Sequence, residues 1–521
     1  MNNNIKLDRR GFLKTSLAGA GIAALSPSIL LGENTKKKPN VIVIMADDIS
    51  AKEFPTYKDP NPVYGDAPCS TPVLEMIKKK GVQFKHGWAT PLCHPSRGMI
   101  MTGRYAHRTE WWSNGYSPAR GEKNFPLNES HLTIGKIAKK AGYATQFVGK
   151  WQLDGNKNDY GFDEILFTPG QFAARAPADK KPMGPKGLGK PSFFWNPGFT
   201  LHNHPDHPKS HGSKGQSFKT TWSDHASDIE LKYIKDFVKR SQKNNKPFFV
   251  YWPAHLGHLN WDYINDGMGY PGVPPMDTKD YPGTKIVKEK MPDGTIVERT
   301  PAGMNYHVQY LDFTVGELIK QLKQLGIEDE TIIIFTTDNG SANYGKGLIG
   351  AVKEYGSKVP FFVYAPGQTK PAGEVDDLVS LADIAPTIAE IMGADIPEGY
   401  EFDGISMVPF LSGQSPRHRD WVYSYVGQCQ MVRTRNVLFD GMDIYWDTRG
   451  TVDQEKFKMI GDGAGQAKAP AALMKEIRTI QNVLKKYPSM PTEGAAFERY
   501  AENKKSQRQY WQQYQKNIRK K

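Results

Sequence analysis

At 521 residues, with 38% apolar and 24% charged residues, the chain is long enough for one large core with a smaller satellite, or for two to three ordinary domains. Its three cysteines exclude a disulfide framework and leave room for one bridge, with Cys69 and Cys429 as the pair if Cys93 is committed elsewhere. The formal charge of +13 comes in part from Lys36–Lys38 and from a basic tail beginning at Lys504. Such a balance suits nucleic acid, anionic lipid or an acidic polymer alike. No recognition-helix pattern or zinc-ligand spacing supports nucleic acid.

In chain order, Arg9 and Arg10 are followed by Phe12, Leu13, Lys14 and a small-residue apolar run broken at Pro27. That run is shorter than the roughly 20 residues a membrane span needs. Residues 1–32 therefore read as a secretory signal of the twin-arginine type, without an A-x-A site to fix the cleavage point. The expected location is a bacterial periplasm or beyond, with no stable membrane insertion, because no other stretch could span a bilayer.

Five short apolar runs then read as buried parallel strands: Val41–Met45, Tyr143–Gly149, Phe248–Trp252, Thr331–Thr337 and Phe361–Ala365. Helical patterns lie between and after them, over Thr71–Lys80, Leu132–Ala141, Asp224–Arg240, Val308–Leu325 and Leu381–Met392. This alternation predicts a doubly wound α/β sheet, with ligands at the carboxyl ends of its strands. Pro169–Ser223, carrying His202, His204, His207 and His211, reads as a long surface loop, and Pro271–Pro301 as a second excursion. Beyond Ser412 the pattern becomes that of antiparallel strands in a smaller subdomain over 413–521. Trp511, Tyr514 and Ile518 fall at helical spacing near the end and read as a docking stripe.

The strand exits carry the chemistry. The first leads into Asp47 and Asp48, the second into Lys150, the third toward His255 and His258, and the fourth into Asp338 and Asn339. Three carboxylates and an amide are hard oxygen donors, suited to calcium or magnesium rather than zinc. Lys150, Arg97 and a histidine around such an ion predict an anion with several oxygens, such as sulfate or phosphate. Pro95 suits a first helical turn and Gly103 a helix stop, which places Cys93 at a helix N-terminus. The dipole there favours a thiolate and predicts a pKa below the usual value of about 8.5.

The segment Cys93-His94-Pro95-Ser96-Arg97, continuing to Thr102-Gly103-Arg104, resembles the signature of the formylglycine-dependent sulfatases of arylsulfatase type. That signature is Cys or Ser, any residue, Pro, Ser, Arg, three residues, then Leu-Thr-Gly-Arg; here Met101 replaces the leucine. The resemblance runs across Pro39–Leu411. It implies an alkaline phosphatase-like sulfatase fold over 39–412: a large, mixed, mostly parallel sheet between helices, and a smaller C-terminal subdomain with an antiparallel sheet.

It further implies that a maturation enzyme converts Cys93 to formylglycine (3-oxoalanine), which hydrates to a gem-diol. One hydroxyl attacks sulfur and the alcohol leaves. The other then loses its proton to expel sulfate and restore the aldehyde. By the same resemblance Asp47, Asp48, Asp338, Asn339 and residue 93 hold calcium, with magnesium less suited. Arg97 holds the diol, Lys150 the sulfate, and His258 the sulfate and leaving group, with His255 as the alternative.

Two positions depart from the family pattern. Gln152 stands where a histidine usually takes the proton released on elimination, leaving His94 or His255 as replacement bases. The leaving-group lysine is Lys346, with Lys353 as the alternative. The expected substrate is a sulfated polysaccharide or oligosaccharide, which the basic balance, the long inserts and Trp111, Trp112, Trp195, Trp222, Trp252 and Trp261 would suit. Phosphate or phosphonate ester hydrolysis on the same scaffold is one alternative, and non-catalytic binding of a sulfated glycan is another.

Overall fold

A computed structural model describes residues 37–491, apart from 66, 68, 115–125, 128–130, 169–193, 213, 263–266, 278, 342–352 and 463–468. Its centre is β1 (Asn40–Ala46), buried along its whole length. Val41, Val43 and Met45 enter the core on one side of the sheet, while Ile42, Ile44 and Ala46 enter the core on the other. Both faces are covered, so this strand shows no polar alternation. Each valine, isoleucine and methionine among them contributes about 1.5–3 kcal/mol by leaving water.

The remaining strands of the large sheet are β2 (Val82–Trp88), β3 (Ala144–Lys150), β4 (Glu164–Thr168), β5 (Phe199–His202), β6 (Gln216–Phe218), β7 (Phe248–Pro253), β8 (Thr331–Thr337), β9 (Lys358–Tyr364) and β10 (Gly373–Ser380). Their spatial order is β10-β2-β9-β8-β1-β7-β3-β4-β5-β6. β8, β1, β7, β3 and β4 run parallel. One face carries α1 (Pro72–Lys80), α4 (Ala226–Lys243) and α5 (Met304–Gln324), and the other α2 (Cys93–Thr102), α3 (Ile134–Lys140) and α6 (Ile384–Met392).

A second, five-stranded antiparallel sheet follows: β11 (Val422–Val426), β12 (Cys429–Arg433), β13 (Val437–Phe439), β14 (Ile444–Asp447) and β15 (Lys458–Asp462), with α7 (Met474–Lys486) after it. Met431, Leu438, Trp446 and Phe457 pack from it against Trp88 of β2 and Leu378 of β10. The small sheet is thereby fixed beside the strand that leads into α2.

Several expectations need correction. The run Phe361–Ala365 lies in β9 as far as Tyr364, and β9 is antiparallel to both β8 and β2, with Thr336 opposite Phe361. An all-apolar run signals burial on both faces and carries no direction. Residues 194–223, expected as loop, contribute β5 and β6, which extend the sheet's edge. None of the three cysteines is in a disulfide: Cys69 lies 3.8 Å from the Asn305 carbonyl on α5, whereas Cys429 packs in the small sheet. Trp111, Trp112, Trp195, Trp222 and Trp252 are all buried, so they fill cores instead of offering faces to a sugar. The Trp261 side chain, the tail with Trp511, Tyr514 and Ile518, and the N-terminal signal lie outside the described residues.

Candidate active site at the carboxyl edge of the sheet

Parallel register delivers the polar strand exits to one place. Ala46 is opposite Thr337 and Met45 opposite Pro253, so the residues that follow must meet. Asp338 N–H donates to the Ala46 carbonyl at 3.0 Å, and Asp47 N–H to the Leu256 carbonyl at 3.0 Å. Gly257, at φ +102°, completes the turn against Asp47; a Cβ there would lie 2.2 Å from the Asp47 carbonyl oxygen.

The side chains form one connected cluster. Lys150 Nζ is 2.9 and 2.6 Å from the two carboxylate oxygens of Asp47. Arg97 Nη2 reaches Asp47 Oδ1 at 3.2 Å and Asp338 Oδ2 at 2.7 Å. Asn339 Nδ2 donates to Asp48 Oδ1 at 2.7 Å, and the Asp48 backbone N–H to Asp338 Oδ1 at 3.0 Å. Asp48 takes up the left-handed region (φ +54°), a sparsely populated conformation for a residue with a side chain. Cys93 is the first residue of α2, with Leu92 as N-cap. A ligating atom from each of Asp47, Cys93 and Asp338 falls within 4.8 Å of the others.

Three buried carboxylates face two buried cations, and their ionisation divides accordingly. Burial opposes the charge on Asp47, yet Lys150, His258 and Arg97 outweigh it and hold that carboxyl below the usual range. Burial and the Asp47 charge push Asp48 up to about 7, and Asp338 well above its ordinary value. A divalent cation among them would favour their ionised forms. Asn339 Oδ1 is buried without a hydrogen-bond partner, an acceptor of the kind such an ion takes. The all-oxygen set around it fits calcium or magnesium.

The expected acidification of Cys93 is not found. Burial, with Asp48, Asp338 and Asp47 nearby, pushes the thiol up to about 12 against the pull of Lys150. Desolvation beside three carboxylates outweighs the helix dipole. As a cysteine, residue 93 is a protonated thiol and a poor nucleophile.

His258 reaches the cluster, with Nε2 3.6 Å from Asp48 Oδ2. Its Nδ1 is 2.6 Å from the Leu259 carbonyl, which assigns the proton to Nδ1 and turns the Nε2 lone pair toward the site. Burial and Lys150 lower its pKa to about 4, so the imidazole is neutral. His255 is held by other partners: Nδ1 lies 2.8 Å from Glu230 Oε1 and Nε2 2.5 Å from Thr168 Oγ1. Glu230, fully buried, also accepts from Trp252 Nε1 at 2.8 Å. Sequence reasoning missed Glu230, although it shares a helix face with Ile234, Phe237 and Val238, which marked it as inward-facing.

His94 stacks on Trp111 at 3.7 Å, and burial with Arg97 lowers its pKa to about 3. Gln152 follows Lys150 by two residues at φ +38°, its Oε1 buried and without a partner. Lys346 lies outside the described residues. Lys353 is tied to the C-terminal sheet, its Nζ donating to the Gln454 carbonyl at 2.9 Å and lying 4.1 Å over the Trp446 ring.

The sulfatase family model matches residues 39–394, the span that holds every member of this cluster. The chain belongs to the sulfatase family. It is 26% identical to N-acetylgalactosamine-6-sulfatase of Rattus norvegicus over 419 residues, covering 75% of this chain and 69% of the relative. It is also 26% identical to arylsulfatase A of Bos taurus over 441 residues, covering 79% and 73%. This sulfatase shares its fold with Ps i-CgsB in complex with k-i-k-neocarrahexaose, with a TM-score of 0.60 and 23% identity over 88% of this chain and 96% of that one. The phosphonate monoester hydrolase of Agrobacterium radiobacter has the same fold at a TM-score of 0.50 and 16% identity, covering 86% and 96%. The protein is thus a sulfuric ester hydrolase with a mixed α/β sulfatase fold. Among the described residues no helix is long and apolar enough to cross a membrane.

Proposed function

We propose that this sulfatase hydrolyses O-sulfate groups carried on a saccharide, with residue 93 acting as formylglycine beside calcium held by Asp47, Asp48, Asp338 and Asn339. The observation that carries this reading is the approach of Cys93, Asp47 and Asp338 to within 4.8 Å of one another, with Arg97 and Lys150 bonded into the same cluster. A thiol pushed up to about 12 is unsuited to attack, which favours an oxidised residue 93 as the source of the nucleophilic hydroxyl. The cation, when bound, supplies fixed positive charge next to the sulfate oxygens.

The chain's own residues divide the remaining work. Arg97, braced by Asp47 and Asp338, fixes the hydroxyls on residue 93. Lys150, braced by Asp47, binds a sulfate oxygen and stabilises charge that grows during transfer. His258 presents Nε2 toward the same space; a bound sulfate anion raises its proton affinity, so that it can donate to the departing alcohol. Such acid catalysis contributes about 10²–10⁴-fold. With Gln152 in place of histidine, the elimination proton needs another acceptor. His255 suits this better than His94, because its Nδ1 is held 2.8 Å from Glu230 Oε1, whereas burial with Arg97 keeps His94 neutral.

The saccharide assignment rests on the sugar-directed relative and on the sugar-bound structure of the same fold. The paired arginines at Arg9 and Arg10 support export to a periplasm or beyond. Turnover of sulfate, phosphate and phosphonate esters of one leaving group tests the reaction class. Sulfate is expected to be the fastest, and faster cleavage of either phosphorus ester would overturn the assignment.

A further inference from the structure

Between the large sheet and the C-terminal sheet lies a cavity of about 470 Å³, formed by β2, β10, the start of β9, the end of β12 and the loop after β14. Its volume falls within the range of small-molecule sites. Five cationic side chains line it, Lys85, Lys358, Arg433, Arg435 and Arg449, against two carboxylates, Glu354 and Asp376. Glu354 is shared by Arg433 at 3.0 Å and Lys358 at 3.7 Å. Asp376 is shared by Lys85 at 3.3 Å, His86 at 3.3 Å and Arg435 at 3.2 Å. Asp447 and Asp377 brace Arg449 and Arg435 from outside the lining. The wall therefore carries more positive than negative charge.

Two lining residues carry buried polar atoms that ask for a hydroxylated partner. His86 and Thr448 are each only 5% exposed, yet His86 Nδ1 and Thr448 Oγ1 have no hydrogen-bond partner. His86 Nε2 faces the Asp376 carboxylate and so bears the proton, leaving Nδ1 as an acceptor. Burial lowers this imidazole to about 4 and keeps it neutral. A buried unpaired polar atom costs about 1–3 kcal/mol, and a ligand hydroxyl would relieve that cost at both positions.

The cavity also adjoins the reacting cluster. Gly340, next to Asn339, donates its N–H to the Gly356 carbonyl at 2.9 Å, and Glu354 and Lys358 flank Gly356. Even if fully extended at about 3.6 Å per residue, the path from Asn339 through Gly340 and Gly356 to Glu354 reaches no further than roughly 16 Å. One oligosaccharide could touch both.

We infer that this seam is a second, non-catalytic subsite that holds an anionic sugar unit of the same chain whose sulfate ester lies at residue 93. Arg433, Arg435 and Arg449 pair with its sulfate or carboxylate, and His86 and Thr448 with its hydroxyls. The inference rests on the saccharide sulfate reading above.

The test uses the full chain as Cys93→Ala, titrated calorimetrically with sulfated hexasaccharides from carrageenan and from heparin, and with a sulfated monosaccharide. A hexasaccharide is expected to bind at least tenfold more tightly than the monosaccharide. Adding Arg435→Ala and Arg449→Ala, both at partly exposed side chains, should remove that advantage. Lys85→Ala, which leaves the small sheet untouched, should weaken hexasaccharide binding severalfold. Affinities within twofold of the parent in both variants would refute the subsite, as would a parent that binds no hexasaccharide better than the monosaccharide. If arginine-dependent binding is found but the formylglycine-bearing chain releases no sulfate, the subsite stands and the hydrolytic reading of residue 93 falls.

Discussion

Lys150→Met separates two roles that a merely structural lysine would not. The ammonium lies 2.9 and 2.6 Å from the oxygens of Asp47, itself a proposed ligand of the cation. A unit positive charge about 5 Å from a divalent ion opposes it by roughly 7 kcal/mol at an effective dielectric of about 20, before relaxation. If only a fifth of that survives, removing the charge tightens calcium binding about tenfold. Methionine keeps the stem's packing, and at pH 8 Asp47 remains ionised with Arg97 still beside it. Turnover should move the other way, because the substrate loses a charged donor: about 10²–10³ in kcat/KM. Calcium titration calorimetry and sulfate release at saturating calcium measure the two effects. Affinity and turnover falling together, or turnover within threefold of the parent, would refute the reasoning.

Three further outcomes follow from the same geometry. Chelation should lower the melting temperature and abolish turnover, since a ligand of the folded state stabilises it by about 4 kcal/mol at 1,000 times its Kd; calcium should restore both, and a melt unchanged by chelator would contradict the ligand assignment. Gly257→Ala places a Cβ 2.2 Å from the Asp47 carbonyl oxygen at φ +102°, so it should lower both thermal stability and kcat, read by circular dichroism melts and sulfate release. Burial pushes Asp312 from 3.8 up to about 7 despite N–H donors at Val73 and Leu74. The folded state then holds a proton the unfolded state releases, and that stability is present below about pH 4 and lost as pH rises through about 7. The melting temperature of Asp312→Asn relative to the parent should therefore climb between pH 5 and pH 8, and a constant difference would show that Asp312 does not titrate there.

The parallel core of the fold was legible because buried strands leave uninterrupted runs such as Val41–Met45 and Thr331–Thr337. β2 and β10 escaped notice because polar residues interrupt them, Gln83, Lys85 and His86 in one and Glu374, Asp376 and Asp377 in the other. Lys85, His86 and Asp376 among them line the seam cavity. At the site, Asp47, Asp48, Lys150, His258, Asp338 and Asn339 could be found because strand exits in one register must converge. The state of Cys93 could not be read from sequence: helix position argued for a thiolate, whereas burial beside carboxylates, visible only in three dimensions, decides for the thiol. Glu230 was hidden for a related reason, since a charged residue in a helix reads as solvated until its apolar neighbours at positions 234, 237 and 238 are placed on the same face.

The account stands most directly on the chemical state of residue 93. Intact-peptide mass spectrometry across Pro91–Arg104, on protein made in a host able to install formylglycine, should find the aldehyde or its hydrate, in a fraction that scales with sulfate release. A fully active protein carrying an unmodified thiol at that position, or one whose activity survives Cys93→Ala, would contradict it.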